Sequence, residues 1–433
     1  MDKMPFRLKM ARRLEHRVQY GWVIVGVMFV SNLVSFSAGP TFGLFITPLE
    51  QEFGWSRGAI SFAPTLGTLF GASLSPWFGI LMDRLGARPL LITWGLLSAL
   101  ALGLLSQINS LWQFYVLFGF VYAIMASGMG LLSSGVVITR WFHRRRGRAM
   151  AIVMMGASCG AFMFITLLSS LIENHSWRIA YLVQGSFAIL LVVLPVSWLL
   201  INTPEDLKGK TAHEKDTLEE DPAGLKQSDK HGSVESWSLR EAARTRSLWL
   251  TLVGAVLGAF SVAGYFSHAV PHMESLGFSR GIASSAWGTF FFTGIFAKFV
   301  WGFITEWTSV RWALVLLYLG ETLGLYLLLN ATEPTDLFVY AVVTGFCHGP
   351  FLQLSSQVWG DFFGTEAVGR IYGAVQPAIV LSSAIGPLVG GLLYDWQGDY
   401  TLFLKGLMGL TLCTALIFIF NPRPGKQPVD NAT

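Results

Sequence analysis

Residues 53–61 read FGWSRGAIS, and residues 276–284 read LGFSRGIAS. The two stretches lie 223 positions apart, and the same shift aligns further residues on both sides of them. It pairs Pro48 with Pro271, Gly79 with Gly302, Asp83 with Glu306 and Arg88 with Arg311, and a shift of 222 pairs 147–148 with 369–370. Chance does not supply a series of matches at a near-constant shift. The chain is therefore predicted to contain two homologous halves that run in the same direction.

Long apolar segments recur along almost the whole chain of 433 residues, which is 53% apolar and 13% charged. A soluble domain has roughly 25% charged residues, so too few charges are present to cover a soluble surface. About 20 apolar residues span a bilayer core, and helices suit it because lipid offers the backbone no hydrogen-bond partner. Spans are predicted near 21–46, 58–81, 88–107, 111–138, 149–172, 178–200, 247–270, 281–304, 312–329, 335–357, 370–393 and 400–420. The predicted fold class is an all-α membrane protein, with twelve transmembrane helices in two six-helix bundles related by a parallel internal repeat.

The stretch between the sixth and seventh predicted spans differs in composition from the rest. Residues 202–246 hold eight Lys/Arg and ten Asp/Glu, which predicts a solvated linker. The predicted domains are an N-terminal bundle over 1–200, a linker over 201–246 and a C-terminal bundle over 247–433. The run from Ser238 to Glu241 matches a helix capping box. A short helix on the membrane surface is therefore predicted over 238–246.

The distribution of basic residues predicts the orientation. With the N-terminus inside, the cytoplasmic segments hold 25 Lys/Arg, whereas the outer loops hold only Arg57, Arg178 and Arg280. Both termini and the linker are therefore expected to be cytoplasmic. We expect a multi-pass protein of the bacterial cytoplasmic membrane that acts as a monomer.

A glycine and arginine motif connects the second and third predicted spans. Residues 79–88 read GILMDRLGAR, and residues 302–306 of the second half read GFITE. The first run resembles the G-x-L-x-D-R-x-G-R-[RK] signature of the major facilitator superfamily, and the second keeps the glycine and an acid. The resemblance covers the whole chain and implies a transporter that works by alternating access.

In that family the motif latches a cytoplasmic gate. The implied gate residues here are Gly79, Asp83, Arg84, Arg88, Arg148, Gly302, Glu306 and Arg311. A glycine lets two helices approach closely, and a carboxylate at the mouth can pair with arginines. We expect Asp83 to pair with Arg148 or a neighbour. The alternative is a generic basic turn that only fixes the topology.

A second motif lies between the fourth and fifth predicted spans. Residues 141–149 read WFHRRRGRA, and residues 156–160 read GASCG. They look like the [YF]-F-x-[KR]-R-R-x-x-A-x-G-x-A-x-A-G-x-x-x-G pattern of the monocarboxylate porters, which we group with the oxalate–formate antiporter branch. The sequence departs from that pattern at Ala151 and Met155. The resemblance implies that a small organic anion, a monocarboxylate, is moved by symport with a proton or by antiport of anions.

Lys298 is the first candidate for contact with the substrate. Ionisable residues inside spans are costly and are therefore functional candidates. In the monocarboxylate porters an arginine stands four residues before the glycine that Gly302 matches, and Lys298 occupies that place. The acid expected four residues earlier is Gly294 here, and lysine lacks the flat bidentate pairing of arginine. The alternative is that Lys298 snorkels to the cytoplasmic end of its helix, about 9 Å away.

Other polar residues within predicted spans complete the candidate site. Histidine can carry a coupled proton near neutral pH, so His268 and His348 are substrate-binding candidates. Further candidates for orienting a substrate are Asn32, Ser35, Tyr265 and Gln353. For each of them the alternative is a packing role, since polar side chains also hold helices together.

Glu321, in the middle of the ninth predicted span, is a proton-coupling candidate. The competing interpretation is a structural carboxyl, because the third helix of each triplet is peripheral in this superfamily. Three Gly-Pro pairs, at 39–40, 349–350 and 386–387, can kink or hinge their helices.

Several function classes are excluded by missing patterns. The sequence contains no Walker phosphate loop, no HExxH and no GxSxG, so no enzyme is predicted. The three cysteines lie in apolar segments without metal-ligand spacing, and neither a cofactor, a metal nor nucleic acid is expected. The alternatives left open are a drug or metabolite exporter of the same fold and, more remotely, a transporter-like sensor. The unmatched ionisable residues all lie in the second half, so the C-terminal bundle is expected to supply the charge.

Overall fold

The computed structural model describes residues 20–142, 145–204, 206, 237–364 and 368–425, without the side chains of Glu306 and Val368. Twelve helices in these ranges are long and apolar enough to cross a membrane. In chain order, spans 1 to 12 are Tyr20–Phe53, Arg57–Leu85, Ala87–Leu105, Leu111–Trp141, Arg146–Asn174, Trp177–Leu199, Arg246–Ser275, Arg280–Thr305, Val310–Leu329, Pro334–Phe363, Gly369–Gln397 and Thr401–Phe420. Each predicted span overlaps one of them. The predicted fold class and the count of twelve are confirmed.

The two halves, spans 1–6 and spans 7–12, repeat the same backbone features. Spans 1 and 7 end at glycines in the left-handed region, Gly54 with φ 68° and Gly277 with φ 93°. Spans 2 and 8 are then capped by Ser56 and Ser279, whose side chains accept from the backbone N–H three residues on. These pairs are 223 residues apart. The sequence repeat is therefore a repeat of helix ends, and not only of hydropathy.

Most of the predicted linker lies outside the described residues, which resume at Trp237. The helix after it, Leu239–Ala243, begins at Ser238 with the predicted capping box. The Ser238 side chain accepts from the Glu241 N–H, and the Glu241 carboxylate accepts from the Ser238 N–H. This helix is shorter than the predicted 238–246, because span 7 already begins at Arg246.

Two of the three Gly-Pro pairs lie close to breaks in helices. Span 1 is interrupted at residues 36–37, between Tyr20–Ser35 and Ala38–Phe53, three residues before Pro40. Pro40 instead lies in the first turn of the second segment, where its missing N–H is not needed. Span 10 is interrupted at residues 349–350, between Pro334–His348 and Phe351–Phe363. Span 11 continues as one helix through residues 386–387.

Wide π-helical turns in span 4 were not predicted from the sequence. They cover Tyr115–Tyr122 and Gly128–Leu132, and Gly130 leaves helical geometry with ψ −123°. A Cβ atom at Gly130 would lie 3.2 Å from the ring of Phe36, in the break of span 1. Such turns often occur at functional sites. Two irregular stretches of backbone thus face each other inside the N-terminal half.

We call the membrane face at which the linker joins spans 6 and 7 the linker face, and the opposite one the far face. The halves are in close contact at the far face. A Cβ atom at Gly43 would lie 2.8 Å from the Ser267 carbonyl oxygen, and one at Gly391 would lie 2.6 Å from the Arg57 carbonyl oxygen. Small residues therefore bring span 1 against span 7 and span 2 against span 11.

The halves are apart at the linker face. A Cβ atom at Gly79 or at Gly302 would meet no other atom within 4 Å. One buried apolar cluster continues across both halves, but a second, around Trp301 and Trp359, is confined to the C-terminal half and the short helix. In this conformation neither glycine lies at a close helix contact, and their role in a gate stays a prediction. The structure is closed at the far face and open at the linker face.

Candidate functional site

A cavity of about 360 Å³ lies between the halves at the breaks of spans 1 and 10. Its polar side chains are those of Ser35, Ser158, Lys298 and His348, and its aromatic rings are those of Phe36, Phe266, Phe290, Phe291 and Phe351. Ligand sites commonly have this composition, with an apolar wall and a few polar groups that fix the orientation. We call this space the lysine cavity.

Lys298 provides the positive charge of the lysine cavity. Its Nζ donates to Ser158 Oγ at 2.6 Å, so that span 8 of one half is joined to span 5 of the other. The side chain thus points between the halves and does not snorkel to the linker face. A lysine ammonium has three N–H donors, so that an anion can bind Nζ while the Ser158 bond is kept.

Ser158 belongs to the second motif, but its role was not recognised from the sequence. The two glycines of that motif, Gly156 and Gly160, face the backbone of span 1 at Phe29 and Leu33, where a Cβ atom would clash. Helical geometry turns Ser158, two residues from each of them, toward the other side of span 5. The motif therefore serves helix packing on one side and presents a hydroxyl to Lys298 on the other.

His348 and Glu321, which were predicted separately, form a pair. His348 ends the first segment of span 10, lines the lysine cavity and stacks on Phe351 at 5.2 Å between ring centroids. Its Nδ1 lies 2.7 Å from Glu321 Oε1, and the Glu321 side chain is only 8% exposed. The Glu321 carboxyl group thus contacts the His348 imidazole, which lines the cavity. Gly294, where the resemblance led us to expect an acid, lines the same cavity without a side chain.

His268 does not line the lysine cavity in this conformation, and its role as a substrate contact stays a prediction. Its Nε2 lies 2.7 Å from the Pro387 carbonyl oxygen and its Nδ1 lies 3.1 Å from the Tyr400 hydroxyl. Both ring nitrogens are therefore used within the C-terminal half, near the far face.

Asn32, Tyr265 and Gln353 also lie away from the walls of the lysine cavity, and their roles as substrate contacts stay predictions. The Asn32 amide donates to Met28 O and to Ser134 Oγ, and so joins span 1 to span 4. Tyr265 packs edge-on against Trp287. Gln353 is exposed on the second segment of span 10, next to Leu352, which does line the cavity. For the first two, packing between helices has outweighed exposure to the cavity.

Arg57 was treated in the sequence only as an outer-loop charge, yet it is buried at the far face with 6% exposure. Its guanidinium donates to Glu50 Oε2 at 2.9 Å and to the Tyr400 hydroxyl at 3.0 Å, and lies 3.7 Å from the Tyr394 ring centroid. Glu50 is in the N-terminal half, whereas both tyrosines are in the C-terminal half. The side chain thus joins the halves.

The start of span 2 makes a second contact of this kind. Asp395, on span 11, accepts from the backbone N–H groups of Arg57 at 2.9 Å and Gly58 at 2.8 Å. A carboxylate at a helix N-terminus satisfies unpaired donors and the positive end of the helix dipole. We refer to Glu50, Arg57, Asp395 and Tyr400 as the far-face latch. The 223-residue repeat gave no signal for it, because Asp395 has no aspartate partner at that shift.

Three residues of the implied gate, Asp83, Arg88 and Arg311, make contacts within their own halves. Asp83 pairs at 2.9 Å with Arg140, in the last turn of span 4, and its partner is not Arg148, which is exposed. Arg88 donates to the Ser197 carbonyl, and Arg311 donates to the Ile419 carbonyl. The last two contacts are equivalent in the repeat, since each ties the third helix of a half to the end of its sixth helix.

The contacts described for Asp83, Arg88 and Arg311 thus do not join the halves in this conformation. Arg84 is exposed at the linker face, and the Glu306 side chain lies outside the described residues.

Comparisons with known proteins agree with this architecture. The family model described as Major Facilitator Superfamily matches residues 25–288 and 268–433. Monocarboxylate transporter 13 of Bos taurus is 24% identical over 96% of this chain and 93% of its own length. Monocarboxylate transporter 11 of Homo sapiens is 26% identical over 93% and 83% respectively.

A solved structure with a similar fold is a bacterial homologue of the human lysosomal transporter Spinster, in an inward-facing and occupied conformation. It superposes with a TM-score of 0.67 at 15% identity, and covers 93% of this chain and 96% of the other. The repeat, the twelve spans, the cavity between the halves and the match along nearly the whole sequence lead to one assignment. The chain is a multi-pass membrane transport protein that belongs to the Major Facilitator Superfamily.

Proposed function

We propose that this protein is a secondary transporter that moves a small organic monocarboxylate by alternating access, coupled to a proton or to anion exchange. The observation that carries the proposal is Lys298, whose ammonium lies in an otherwise largely apolar cavity between the two halves. One partly buried cation suits one carboxylate, since a charge in such surroundings needs a partner. The similarity to proteins named monocarboxylate transporters supports the same substrate class.

The position of Lys298 supplies a way to link binding to movement. Its Nζ already contacts Ser158 of the opposite half, so an anion bound to Nζ lies at the boundary between the halves. A ligand shifts a conformational equilibrium only by its differential affinity for the two states. We infer that carboxylate binding favours the state in which the halves close over it at the linker face.

His348 and Glu321 are our candidates for the proton site. The imidazole lines the same cavity as Lys298, and its Nδ1 is hydrogen-bonded to Glu321. Histidine changes its charge near physiological pH, and a proton on the pair would offset the negative charge that the substrate brings. The pair thus supplies the carboxyl group that the family pattern has at the position of Gly294.

The orientation is also part of the proposal. We place the linker face in the cytoplasm, because the positive-inside rule favours it by 25 basic residues to three. The three outer arginines are each ion-paired, Arg57 with Glu50, Arg178 with Glu52 and Arg280 with Glu274. Under this assignment the structure represents the inward-open state.

The direct test is uptake of labelled monocarboxylates into proteoliposomes, with and without an inward proton gradient. We expect saturable uptake of at least one acid, with accumulation driven by the gradient. His348→Gln should lose gradient-driven accumulation but keep exchange of internal for external acid. Failure of the purified protein to move any organic acid, by either mode, would contradict the proposal.

A drug or metabolite exporter of the same fold is the second candidate, because aromatic rings dominate the walls of the lysine cavity. An exporter of apolar compounds should remain active when Lys298 is neutralised. A carboxylate transporter should not.

A further inference from the structure

A second cavity, of about 470 Å³, adjoins the lysine cavity on the side of the N-terminal half. It is lined mainly by spans 1, 2 and 4, including the rings of Phe42, Phe118 and Tyr122. The two cavities share Ser35, Phe36 and Gly39 as wall residues. We call the second one the aromatic cavity, and Phe36 is the bulky side chain between the two.

The two cavities differ in charge. The lysine cavity has Lys298 and His348 in its wall, whereas the residues that line the aromatic cavity are all uncharged. An anionic group is thus favoured at one end of the combined space, and apolar groups are favoured in the rest. A dicarboxylate would have to place its second charge against aromatic rings, at a high desolvation cost.

The size of the space also selects among monocarboxylates. At about 30 Å³ for each water molecule, the lysine cavity alone has the volume of roughly twelve waters. An acid of two or three carbons would leave much of that volume without contacts. The rings of Phe266, Phe290 and Phe291 surround the space beyond Lys298, and aromatic pairs gain stabilisation beyond the area that they bury.

We propose that the substrate is a monocarboxylate with a bulky aryl or branched apolar body, and that Phe36 sets the limit on the size of that body. This inference rests on the proposed function and adds the chemistry of the non-carboxylate part. The carboxylate binds Lys298, and the body occupies the ring-lined space and extends toward the aromatic cavity as far as Phe36 allows.

The surroundings of Phe36 favour a fixed partition. The residue lies in the break of span 1, where its N–H donates to the Asn32 carbonyl oxygen at 3.0 Å. Its ring lies against Gly130, where an added Cβ atom would be only 3.2 Å away. Because Gly130 has no side chain, the irregular turn of span 4 leaves room for the Phe36 ring. Removal of the ring would join the two cavities.

The experiment compares uptake of acetate, phenylacetate and indole-3-propionate by proteoliposomes that contain the full chain. Each extra methylene in a hydrophobic pocket changes selectivity by roughly 10- to 200-fold. We therefore expect phenylacetate to be preferred over acetate by at least about 10-fold. Phe36→Ala should raise the ratio of indole-3-propionate to phenylacetate by about 10-fold.

The matched control is Phe420→Ala, which removes a ring that is 69% exposed at the end of span 12. It should leave the ranking of the three acids unchanged. Ligand-induced thermal stabilisation of each purified variant reports binding where uptake is lost, and also shows that the variant is folded.

Two results would overturn the inference while leaving the proposed function intact. One is uptake of acetate by the wild type at least as efficient as that of phenylacetate. The other is an unchanged ranking in Phe36→Ala. If none of the three acids is bound or moved, the inference fails, and the proposed function is judged separately on other organic acids.

Discussion

Glycines lie at both faces of the protein, but only at the far face are they in contact with the opposite half. At the far face, Gly391 lies against the backbone of Arg57, and Gly58 lies against Leu392 and Asp395. At the linker face, Gly79 and Gly302 have open space where a side chain would be. The difference teaches that the far face is in its closed arrangement, whereas the linker face, where we propose a gate, is open.

The carboxylates of the two faces differ in the same sense. Asp395 reaches across the halves to the N-terminus of span 2, whereas Asp83 pairs with Arg140 of its own half. Alternating access predicts that the contacts at the two faces form in turn and not together. Each substitution below should therefore shift the equilibrium in a direction that depends on its face.

The largest effect is expected for Gly391→Val. Its Cβ would lie 2.6 Å from the Arg57 carbonyl oxygen, and backbone cannot move aside as a flexible side chain does. Overpacking costs about 1–3 kcal/mol, so the closed far face should lose up to about 100-fold in population. Uptake assays, and labelling of a cysteine introduced at the far face by an impermeant reagent, would measure it. Gly103→Val, where an added Cβ meets no atom within 4 Å, is the control and should leave both unchanged.

A sharper test of the comparison is the double change Gly79→Leu with Gly302→Leu. Neither added Cβ meets an atom in this conformation, and leucine is a better helix former than glycine by about 1 kcal/mol per residue. Thermal unfolding should therefore occur at the same or a higher temperature, while uptake falls by about 10-fold because the linker face cannot close. Unimpaired uptake would mean that these glycines do not meet when the face closes.

A smaller effect is expected for Asp395→Asn. The Arg57 and Gly58 N–H groups donate to different oxygens of Asp395, so an asparagine can accept from only one of them, and the charge at the helix N-terminus is lost. Interactions of this kind contribute about 0.3–2 kcal/mol. Far-face labelling should rise by about 2- to 10-fold, whereas Asp399→Asn, near the same face but outside the latch, should leave it unchanged. Equal effects from the two variants would argue against a specific latch.

The smallest effect is expected for Asp83→Asn. The Asp83 side chain is 74% exposed, and its ion pair with Arg140 does not join the halves. Exposed pairs contribute about 0–1 kcal/mol, so the midpoint of thermal unfolding should shift by no more than a few degrees. A large loss of stability would show that Asp83 holds more of this conformation together than its single contact indicates.

Much of the architecture could be predicted, because the spans follow from apolar segments and the repeat follows from matching residues at a near-constant shift. The shift of 223 residues located the equivalent helix ends at Gly54 and Gly277, and Lys298 was identified because a charge inside a span is costly. The far-face latch was missed for a physical reason. In the sequence, Arg57 is one of three basic residues of the outer loops. Only folding brings Asp395 and Tyr400 next to it, although they are more than 330 residues away in the chain.

The conformational state could not be predicted either. The same sequence serves the open and the closed linker face, so motif glycines such as Gly79 do not reveal which face is packed in a given state. Nor could the sequence show how deep His268 lies, because its helix does line the cavity, at Val262 and Phe266. His268 lies two residues after Phe266 on span 7, past the cavity and nearer to the far face.

The central claim is that Lys298 binds the substrate carboxylate, and two lysine variants test it most directly. The described part of the chain contains one other lysine, Lys405, which is exposed on span 12. Charge-assisted hydrogen bonds contribute about 1.5–3 kcal/mol, so Lys298→Ala should reduce uptake of a labelled monocarboxylate by about 10- to 100-fold. Lys405→Ala should leave uptake unchanged. Wild-type uptake by a folded Lys298→Ala protein would contradict the account.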